Sequence, residues 1–329
     1  MSDPTVSAII PYFNAEETLA RAIDSLLKQS YPIIEIILID NNSTDTSPEI
    51  AVEYSQKHPG MFLLLSEEKQ NANAARNKGL SVATGEWLQF LDADDEILPD
   101  KIKNQIEFAN NHQDADIIVS PYTRYYYDKN TQSWQILIHR QINENIIIGL
   151  LNCHLGCTIS NLWRRKALFD VSGWDNNITS GQEYRLLIKL INTNKKLYFL
   201  NMDNSIAYAT SNSITRPKNS AKNLILLSNQ LNYFSAISQL FVNKQLSSPQ
   251  ISNKIEDFKY SNFIHSYFKN FEFRKEILSI GKGHGLKLNF LYKLKMYPHV
   301  IYSKYAFNTK HKYLNFIWYS IRNIYMLFY

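Results

Sequence analysis

The chain contains little cysteine: two residues in 329, Cys153 and Cys157. Two thiols cannot form the disulfide framework of a small secreted protein, and so few are typical of a reducing cytosol. The two could share one helical face, four residues apart. A structural zinc site needs about four ligands at suitable spacing, and no second pair accompanies them. We therefore expect both residues to be buried thiols.

Long apolar runs are also absent. No stretch reaches 18 uninterrupted apolar residues, so the sequence predicts no transmembrane helix. The first residues, Met1-Ser2-Asp3-Pro4, carry neither a basic segment nor an apolar run, which argues against a signal peptide. Together with the scarce cysteine, these observations predict a cytoplasmic location.

Acidic residues are missing from the end of the chain, since no Asp or Glu follows Glu276. The basic residues beyond it are Lys282, Lys287, Lys293, Lys295, Lys304, Lys310, Lys312 and Arg322. Subtracting their +8 from the net charge of +5 leaves about −3 for the rest. This asymmetry predicts an anionic partner for the tail, either a membrane surface at which the protein would be peripheral or a polyanion. The alternative is a helical subdomain whose lysines are only solvated.

The first part of the chain alternates between two hydrophobic periods. Apolar runs typical of strands occupy 5–11, 33–39, 61–65, 86–91 and 116–122, and helical spacing occupies 15–29, 48–57, 72–83 and 100–111. This βαβα order predicts an α/β fold with a doubly wound, mostly parallel sheet flanked by helices.

The second part is less regular. We predict a hairpin or loop over 125–152, a strand over 159–165, a helix over 181–191 and one or two strands within 198–208. After about residue 217, apolar residues fall at helical spacing, and the last helix candidate is 313–329. The predicted division is an α/β domain over 1–215 and a helical, basic, aromatic-rich region over 216–329.

Three carboxylates follow the buried strand that contains Trp87 and Phe90: Asp92, Asp94 and Asp95. Like charges at the end of a buried strand repel one another unless a cation lies among them. Oxygen ligands favour Mg²⁺ or Mn²⁺, which commonly join one or two carboxylates to a phosphate. The alternative is a turn that caps the next helix. Asp40 also ends a predicted central strand, so it should lie at the same edge of the sheet as Asp92.

Five ordered segments of the chain form a recognisable set: IPYFN at 10–14, IDNNSTD at 39–45, ARNKG at 75–79 with ATGE at 83–86, FLDADD at 90–95 and GQEY at 181–184. Together they resemble the inverting family 2 glycosyltransferases of GT-A fold, and the resemblance covers about 5–210. It implies a GT-A-like sheet and a nucleotide-sugar-binding catalytic domain over 1–215. The region after 217 is not covered and is expected to form a mainly helical extension.

The resemblance implies a donor site for a nucleoside diphosphate-sugar. Pro11, Tyr12 and Asn14 match the first nucleotide-binding loop, where an aromatic ring can stack on a base. Asp40 matches the carboxylate that accepts a hydrogen bond from the base. The alternative for this loop is an ordinary strand-to-helix turn with Asn14 as the helix cap, and for Asp40 a turn residue.

Further along the chain, Arg76 and Asn77 match the segment that holds the donor, and arginine suits phosphate or a carboxylate. Asp92 and Asp94 match the family's D-x-D motif. The resemblance implies that Asp94 binds the divalent cation, Mn²⁺ or Mg²⁺, and that Asp92 binds the ribose or a water on the ion. Asp95 is expected to support the site or to cap a turn.

The catalytic segment departs from the family pattern. Many relatives carry Glu-Asp before an aromatic residue, whereas this chain has Gln182-Glu183 before Tyr184. Glu183 therefore takes the position of the general base, and Gln182 cannot act as one. The alternative is that Glu183 is a first-turn carboxylate favoured by the helix dipole.

The resemblance implies metal-assisted transfer of a sugar, with a UDP-sugar favoured, to a hydroxyl of a glycan or lipid-linked acceptor in bacterial polysaccharide synthesis. The alternative is a catalytically degenerate nucleotide- or carbohydrate-binding protein of the same fold. Trp163, Arg164 and Trp174 match the general acceptor region, but core packing is the commoner role of tryptophan. A nucleotidyltransferase would need a glycine-rich loop after the first strand, and 11–15 has no glycine. No motif predicts nucleic-acid binding.

Overall fold

Residues 6–199 contribute the strands of a seven-stranded sheet in the order β10-β6-β9-β4-β1-β2-β3. Its strands are β1 Val6–Tyr12, β2 Glu35–Asp40, β3 Phe62–Ser66, β4 Trp87–Phe90, β6 Ile117–Val119, β9 Leu162–Arg164 and β10 Leu197–Phe199. The computed structural model describes residues 3–178, 180–209, 220–269 and 273–286. Strands β4, β1, β2 and β3 run parallel, and β9 is antiparallel to both of its neighbours. The predicted mostly parallel sheet is confirmed.

Helices cover the sheet, which explains why its central strands are apolar on both faces. They are α1 Leu19–Leu27, α2 Ser47–Lys57, α3 Ala72–Val82, α4 Lys101–Asn110, α5 Ile146–Asn152, α6 Arg165–Asp170 and α7 Gln182–Asn192. All seven residues of β1 are buried. Helix α3 approaches β1 closely through Gly79, where an added Cβ would lie 2.6 Å from Cγ2 of Ile9.

A second sheet, in the order β5-β11-β7-β8, was not predicted. It consists of β5 Glu96–Ile97, β7 Tyr122–Asp128, β8 Ser133–Arg140 and β11 Ser205–Ala209. The strand predicted over 116–122 is therefore two strands in different sheets, and Pro121 lies between them. Proline lacks an N–H and cannot continue the ladder of a central strand. The hairpin predicted within 125–152 is present, but helix α5 in that range was missed.

The expectation of two buried thiols is wrong for Cys153, which is exposed, while Cys157 is half-buried. Helix α5 ends at Asn152, and Cys153 follows it in a left-handed conformation with φ of 55°. The two thiols therefore do not share one helical face, because the helix ends before either residue.

The described chain divides into two compact units. The first contains the described residues to 209 together with Gln239–Gln245, and the second contains the described parts of 220–238 and 246–286. The described part of the C-terminal extension contains the helices α8 Ser220–Asn243, α9 Pro249–Lys269 and α10 Arg274–Gly283. The second unit has its own small core, formed by Leu227, Leu231, Phe263, Ile277 and Leu286.

Within residues 220–269 and 273–286 the extension is mainly helical, as predicted. None of the helices in the described ranges is long and apolar enough to span a bilayer. The predicted domain boundary at 215/216, the helix candidate 313–329 and all but one of the tail's basic residues lie outside the described residues. The division into two domains at that point, and the anionic partner of the tail, therefore remain predictions.

Candidate functional site

Two of the predicted site carboxylates lie at the carboxyl edge of the large sheet. Tyr12 pairs with Asp40 at the end of β1 and β2. On the other side of β1, the N–H of Leu91 donates to the carbonyl of Ile9 at 3.0 Å, so that Asp92 leaves the sheet at the same edge. The common edge expected for Asp40 and Asp92 is thus what the structure shows. This is where ligands of open parallel sheets bind.

The loops after β1 and β2 are joined through Asn14. Its side-chain oxygen accepts from the N–H of Thr44 at 2.8 Å, and its own N–H donates to Oγ of Ser43 at 3.1 Å. Asp40 Oδ1 accepts from the N–H of Ser43 at 3.0 Å. Asn14 does not cap helix α1, which begins at Leu19. Asn14 and Asp40 therefore shape one continuous rim, and their contact with a donor remains a prediction.

The aromatic pair in the first loop is divided between core and surface. Tyr12 is 5% exposed, and its burial near Asp40 raises the pKa of the phenol, which stays protonated. Phe13 is 46% exposed at the same edge. The exposed ring on which a nucleotide base could stack is therefore that of Phe13, whereas the sequence analysis selected Tyr12. Pro11 is buried in β1, opposite Ile39.

Arg76 connects two predicted parts of the site. Its Nη2 donates to Oδ1 of Asp92 at 2.7 Å, and its Nη1 donates to Oε1 of Gln182 at 2.7 Å and to Oδ1 of Asn73 at 3.2 Å. The guanidinium also lies over the ring of Trp174, 4.8 Å from its centroid. Because Arg76 is only 4% exposed, it is not a solvated arginine on a helix surface.

Asn77 has a structural role in the described residues. Its side chain accepts from the N–H of Trp174 at 2.9 Å and donates to the carbonyl of Trp174 at 2.8 Å and to Oδ1 of Asn176 at 2.9 Å. Two residues that the sequence reasoning missed assist it. Asn73 donates to the carbonyls of Asp175 and Ile178, and Asn71 caps α3 and donates to the carbonyl of Asn176. The recurring asparagines of α3 were the available signal.

The Asp92-Ala93-Asp94-Asp95 turn holds unequal carboxylates. Burial and the neighbouring charge of Asp92 raise the pKa of Asp94 to about 6. Burial and the charges of Asp94 and Asp92 raise the pKa of Asp95 well above its ordinary value, although its Oδ1 accepts from the N–H of Tyr208 at 2.8 Å. The carbonyl of Asp94 accepts from Arg21. This concentration of negative charge is more than a helix cap requires.

Asp92 and Asp94 could supply some of the ligands of a divalent cation, but not a complete coordination shell. No group of three or more His, Cys, Asp or Glu side chains is arranged to hold a metal within the described ranges. One oxygen of Asp92 is already paired with Arg76, which leaves Asp94 as the freer carboxylate. Mg²⁺ usually takes only one or two protein carboxylates and completes its shell with water and substrate phosphates. The donor set is therefore adequate for an ion that arrives with a diphosphate.

Glu183 occupies the first turn of α7 and is half-buried. Burial raises the pKa of its carboxyl, the charge of Asp92 adds to that rise, and its own N–H and Arg76 oppose it. A carboxylate with a raised pKa is a better proton acceptor than one at its ordinary value. Glu183 thus lies within the electrostatic reach of Asp92 and Arg76, and its role as a base remains a prediction.

The aromatic residues considered for acceptor binding belong to the core. Trp163 is fully buried, and Trp174 is 2% exposed and packs edge-on against Phe90 with centroids 5.5 Å apart. Arg164 pairs with Glu86 at 2.6 Å. None of the three therefore offers a free surface to an acceptor, and the core alternative holds for both tryptophans.

Sequence comparison agrees with the resemblance seen in the motifs. The family model described as Glycosyl transferase family 2 matches residues 7–172. The amylovoran biosynthesis glycosyltransferase AmsB of Erwinia amylovora is 39% identical over 108 residues, which are 32% of this chain and 36% of that protein. Matches of this chain span half or less of the length of such curated relatives.

Solved structures share the fold. S. aureus TarS 1-349 in complex with UDP-GlcNAc superposes with a TM-score of 0.64 at 18% identity, covering 91% of this chain and 87% of that one. The mannosyltransferase PcManGT from Pyrobaculum calidifontis, in complex with GDP-Man and Mn2+, gives 0.56 at 13% identity, covering 93% and 82%. The predicted GT-A-like architecture is confirmed.

Proposed function

The chain belongs to glycosyl transferase family 2, and on that premise we propose that it transfers a sugar from a nucleoside diphosphate-sugar to an acceptor hydroxyl with inversion. The proposed donor is a UDP-sugar, as in the TarS complex with UDP-GlcNAc. The proposed acceptor is a glycan or lipid-linked glycan of a bacterial polysaccharide, in keeping with the similarity to an amylovoran biosynthesis enzyme. Synthesis of this kind would take place in the cytoplasm, at the inner face of the membrane.

The observation that carries this proposal is the double contact of Arg76 with Asp92 and Gln182. Asp92 follows a central strand at the edge expected for the donor, and Gln182 is the first residue of the helix that presents Glu183. One buried guanidinium thus holds the candidate base in fixed relation to the donor edge. Such pre-organisation is what group transfer between two bound substrates requires.

In the proposed reaction, Pro11, Tyr12, Asn14 and Asp40 shape the base and ribose side of the donor site, and Arg76, Asn77 and Asp92 form its inner wall. Glu183 accepts the proton of the acceptor hydroxyl as the oxygen attacks the anomeric carbon from the face opposite the diphosphate. The bond to the diphosphate breaks in the same displacement, which inverts the centre. For this, the carboxylate must come within about 2.6–3.2 Å of the hydroxyl in the productive complex.

A divalent cation, Mn²⁺ or Mg²⁺, would be held by Asp94, with Asp92 beside it. When bound, it would supply Lewis-acid stabilisation of the charge on the leaving diphosphate. The presence of Mn2+ in the PcManGT complex supports this choice of ion. The like charges of Asp92 and Asp94 provide the reason within this chain, since a cation would relieve their repulsion.

The test combines ligand binding with turnover. Thermal shifts are measured for UDP, GDP and ADP and their sugars with Mn²⁺, Mg²⁺ or chelator, on the wild type and Asp94→Ala. A ligand at 100 times its dissociation constant adds about 2.7 kcal/mol to the free energy of unfolding. We expect a metal-dependent shift with uridine nucleotides that Asp94→Ala loses. Absence of any nucleotide shift in folded protein would contradict the donor assignment.

Glu183→Gln separates catalysis from binding. It keeps the size of the side chain and removes the base, so donor binding should persist while transfer falls by about 10²–10⁴-fold. Turnover equal to that of the wild type would refute the role of Glu183. A wild type that binds the donor but neither transfers nor hydrolyses it would favour the degenerate binding protein, for which the Gln182-Glu183 departure is the supporting feature.

A further inference from the structure

One side of the hairpin formed by β7 and β8 carries a tyrosine and two arginines. Tyr122 and Arg124 are two apart on β7, and Arg140 stands directly opposite Tyr122 on β8. Residues two apart along a strand, and residues directly opposite each other in an antiparallel pair, project from the same side of a sheet. The register shift between these strands falls after Arg124 and does not alter these positions. We refer to the side that carries Tyr122, Arg124 and Arg140 as the cationic face.

The cationic face is turned toward the candidate base. Burial, the largest cause, raises the pKa of the Tyr122 phenol. Cys157 and Glu183 add to this rise, and the charges of Arg140 and Arg124 oppose it. The side chain of Tyr122 therefore lies within electrostatic reach of Glu183 and of both arginines. An acceptor whose hydroxyl lies at Glu183 could extend past Tyr122 to the two guanidinium groups.

Arg124 is also close to the acidic turn. Its charge opposes the rise in the pKa of Asp94 and of Asp95. The backbone shows the same proximity, because Arg124 pairs with Ala207 on β11 and the next residue, Tyr208, donates its N–H to Oδ1 of Asp95 at 2.8 Å. The cationic face therefore extends from the turn that carries the acidic residues to the surroundings of the candidate base.

The guanidinium of Arg124 is incompletely bonded. Its Nε is buried and has no hydrogen-bond partner among the described residues. The residues directly opposite it are Ala207 on β11 and Ile138 on β8, and neither has a polar side chain. A buried donor without a partner costs free energy, and such a group in a native structure calls for an explanation. A ligand that accepts hydrogen bonds on the cationic face would provide it.

Arg140 likewise lacks a carboxylate. It is half-buried at the end of β8 and takes part in no ion pair of the part of the chain that the structure describes. The next pair of the ladder, Thr123 and His139, faces the other side of the sheet, where both side chains contact Asp203. Asp203 is therefore on the wrong side of the sheet to neutralise Arg140, whose charge remains available to a ligand.

We propose that Arg140 and Arg124 bind a phosphate or carboxylate group of the acceptor, next to the hydroxyl that reacts at Glu183. Guanidinium groups bind both anions through paired N–H donors. The protonated hydroxyl of Tyr122 can donate to the same group. A neutral acceptor would leave these partly buried cations without a counter-charge. This inference rests on the proposed transferase function and names the class of acceptor as an anionic glycan.

The donor diphosphate is the other anion that the site would hold. Arg124 acts on both Asp94 and Tyr122, so its position alone does not separate the donor from the acceptor. Arg140 lies on β8, opposite Tyr122 and one strand further from the acidic turn than Arg124. Arg140 is therefore the residue whose replacement distinguishes an acceptor anion from the donor diphosphate.

The experiment uses the full chain, with UDP and Mn²⁺ present, on an array of bacterial glycans that contain phosphodiesters, uronic acids or only neutral sugars. Five proteins are compared: wild type, Arg140→Gln, Arg140→Lys, Arg124→Gln and Lys129→Gln. Lys129 is exposed in the turn of the same hairpin, so its replacement removes the same charge away from the cationic face.

We expect the wild type to prefer anionic glycans to neutral ones. Arg140→Gln and Arg124→Gln should each bind the preferred glycan about tenfold more weakly, since each removes a charge-assisted contact. Arg140→Lys keeps the charge and should recover part of the loss, whereas Lys129→Gln should bind as the wild type does. Preference for phosphodiester or for uronic acid glycans would identify which anion the arginines bind.

A second readout separates this inference from the proposed function. For the anionic glycan bound on the array, Arg140→Gln should raise the acceptor KM about tenfold and leave the donor-induced thermal shift unchanged. Arg124→Gln should raise the acceptor KM as well, so that the test survives if Arg140→Gln fails to fold. Absence of a donor-induced shift in the wild type would refute the transferase, whereas an unchanged acceptor KM in both variants would refute the cationic face alone.

Two other outcomes would also overturn the proposal. One is a wild type that binds neutral and anionic glycans equally well, or that binds no glycan on the array at micromolar protein. The other is an Arg140→Gln variant that loses the donor-induced shift and keeps the acceptor KM of the wild type. That result would assign Arg140 to the donor diphosphate instead of the acceptor.

Discussion

Nη2 of Arg76 lies 2.7 Å from Oδ1 of Asp92, and Nη1 of the same guanidinium lies 2.7 Å from Oε1 of Gln182. The arginine is buried, and its two partners are 16 and 106 residues away in sequence. A planar fork of donors is needed to hold both partners at once. This contact therefore connects the edge of the sheet to helix α7, and several predictions depend on it.

Arg76→Lys keeps the positive charge but cannot reach Asp92 and Gln182 in one plane. We expect kcat/KM to fall by about 10–100-fold, because loss of positioning at a site can cost that much without a change in the chemistry. Steady-state kinetics at saturating metal would measure it. Full activity in Arg76→Lys would show that the double contact is dispensable.

Arg76→Ala should also destabilise the fold, because it leaves Asp92 without its partner. We expect a loss of about 1–3 kcal/mol, less than for a fully buried pair because the side chain of Asp92 is 35% exposed. Urea denaturation of Arg76→Ala beside the double variant Arg76→Ala/Asp92→Asn would check the cause. Removing the charge of Asp92 should restore part of the loss, and a purely additive result would exclude the ion pair as its source.

Gln182→Glu would place a second carboxylate on Arg76 and next to Glu183. The groups that act on Glu183 are Arg76, Asp92 and its own N–H. A new like charge disfavours the ionised base and raises the pKa of Glu183 further. Since the base acts when unprotonated, the acid limb of the kcat/KM profile should move to higher pH. Gln182→Met removes the contact without adding charge, so an equal displacement there would contradict the electrostatic cause.

Gly85→Ala should disturb the pairing of β1 with the segment before β4. A Cβ at Gly85 would lie 2.5 Å from the backbone N and 2.6 Å from Oγ of Ser7, and backbone cannot yield as a flexible side chain can. Overpacking of this kind costs about 1–3 kcal/mol. Gly283→Ala in α10 has nothing within 4 Å of its Cβ and should gain about 0.5–1 kcal/mol instead. Chemical denaturation of both variants compares the two, and equal stabilities would contradict the steric account.

Lys101 is 2% exposed, and its Nζ donates to Oε1 of Gln89 in the buried strand β4. Burial lowers the pKa of Lys101 well below its ordinary value. Between the folded-state pKa and the unfolded-state pKa, the unfolded chain binds more protons, so stability should rise as pH increases toward 10. Lys101→Met lacks this proton linkage. Between pH 7 and 10, the free energy of unfolding of the wild type should therefore rise relative to that of Lys101→Met. If the two proteins depend on pH in the same way, Lys101 stays charged in the folded state.

Local pattern was sufficient for much of the architecture. The alternation of strand and helical periods predicted the elements from β1 to β4 and helix α4, although it missed the short strand β5. It also predicted that Asp40 and Asp92 would lie at the same edge of the sheet. Where a single residue interrupts a pattern, sequence was less informative. Pro121 divides a continuous apolar run into β6 and β7. One strand that pairs with β7 is β11, which lies more than 80 residues later in the chain.

The sequence by itself thus determined the fold class, the carboxylate-bearing edge and the family, because these depend on residues close together in the chain. The tertiary structure alone decided which side chains meet across the molecule. In the folded chain Tyr12 is buried and Phe13 is exposed, and Asn77 contacts the turn at Trp174. Three strands also bring Tyr125, Trp134 and Tyr208 together. Such contacts depend on how helices and sheets pack, and packing is a property of distant residues acting together.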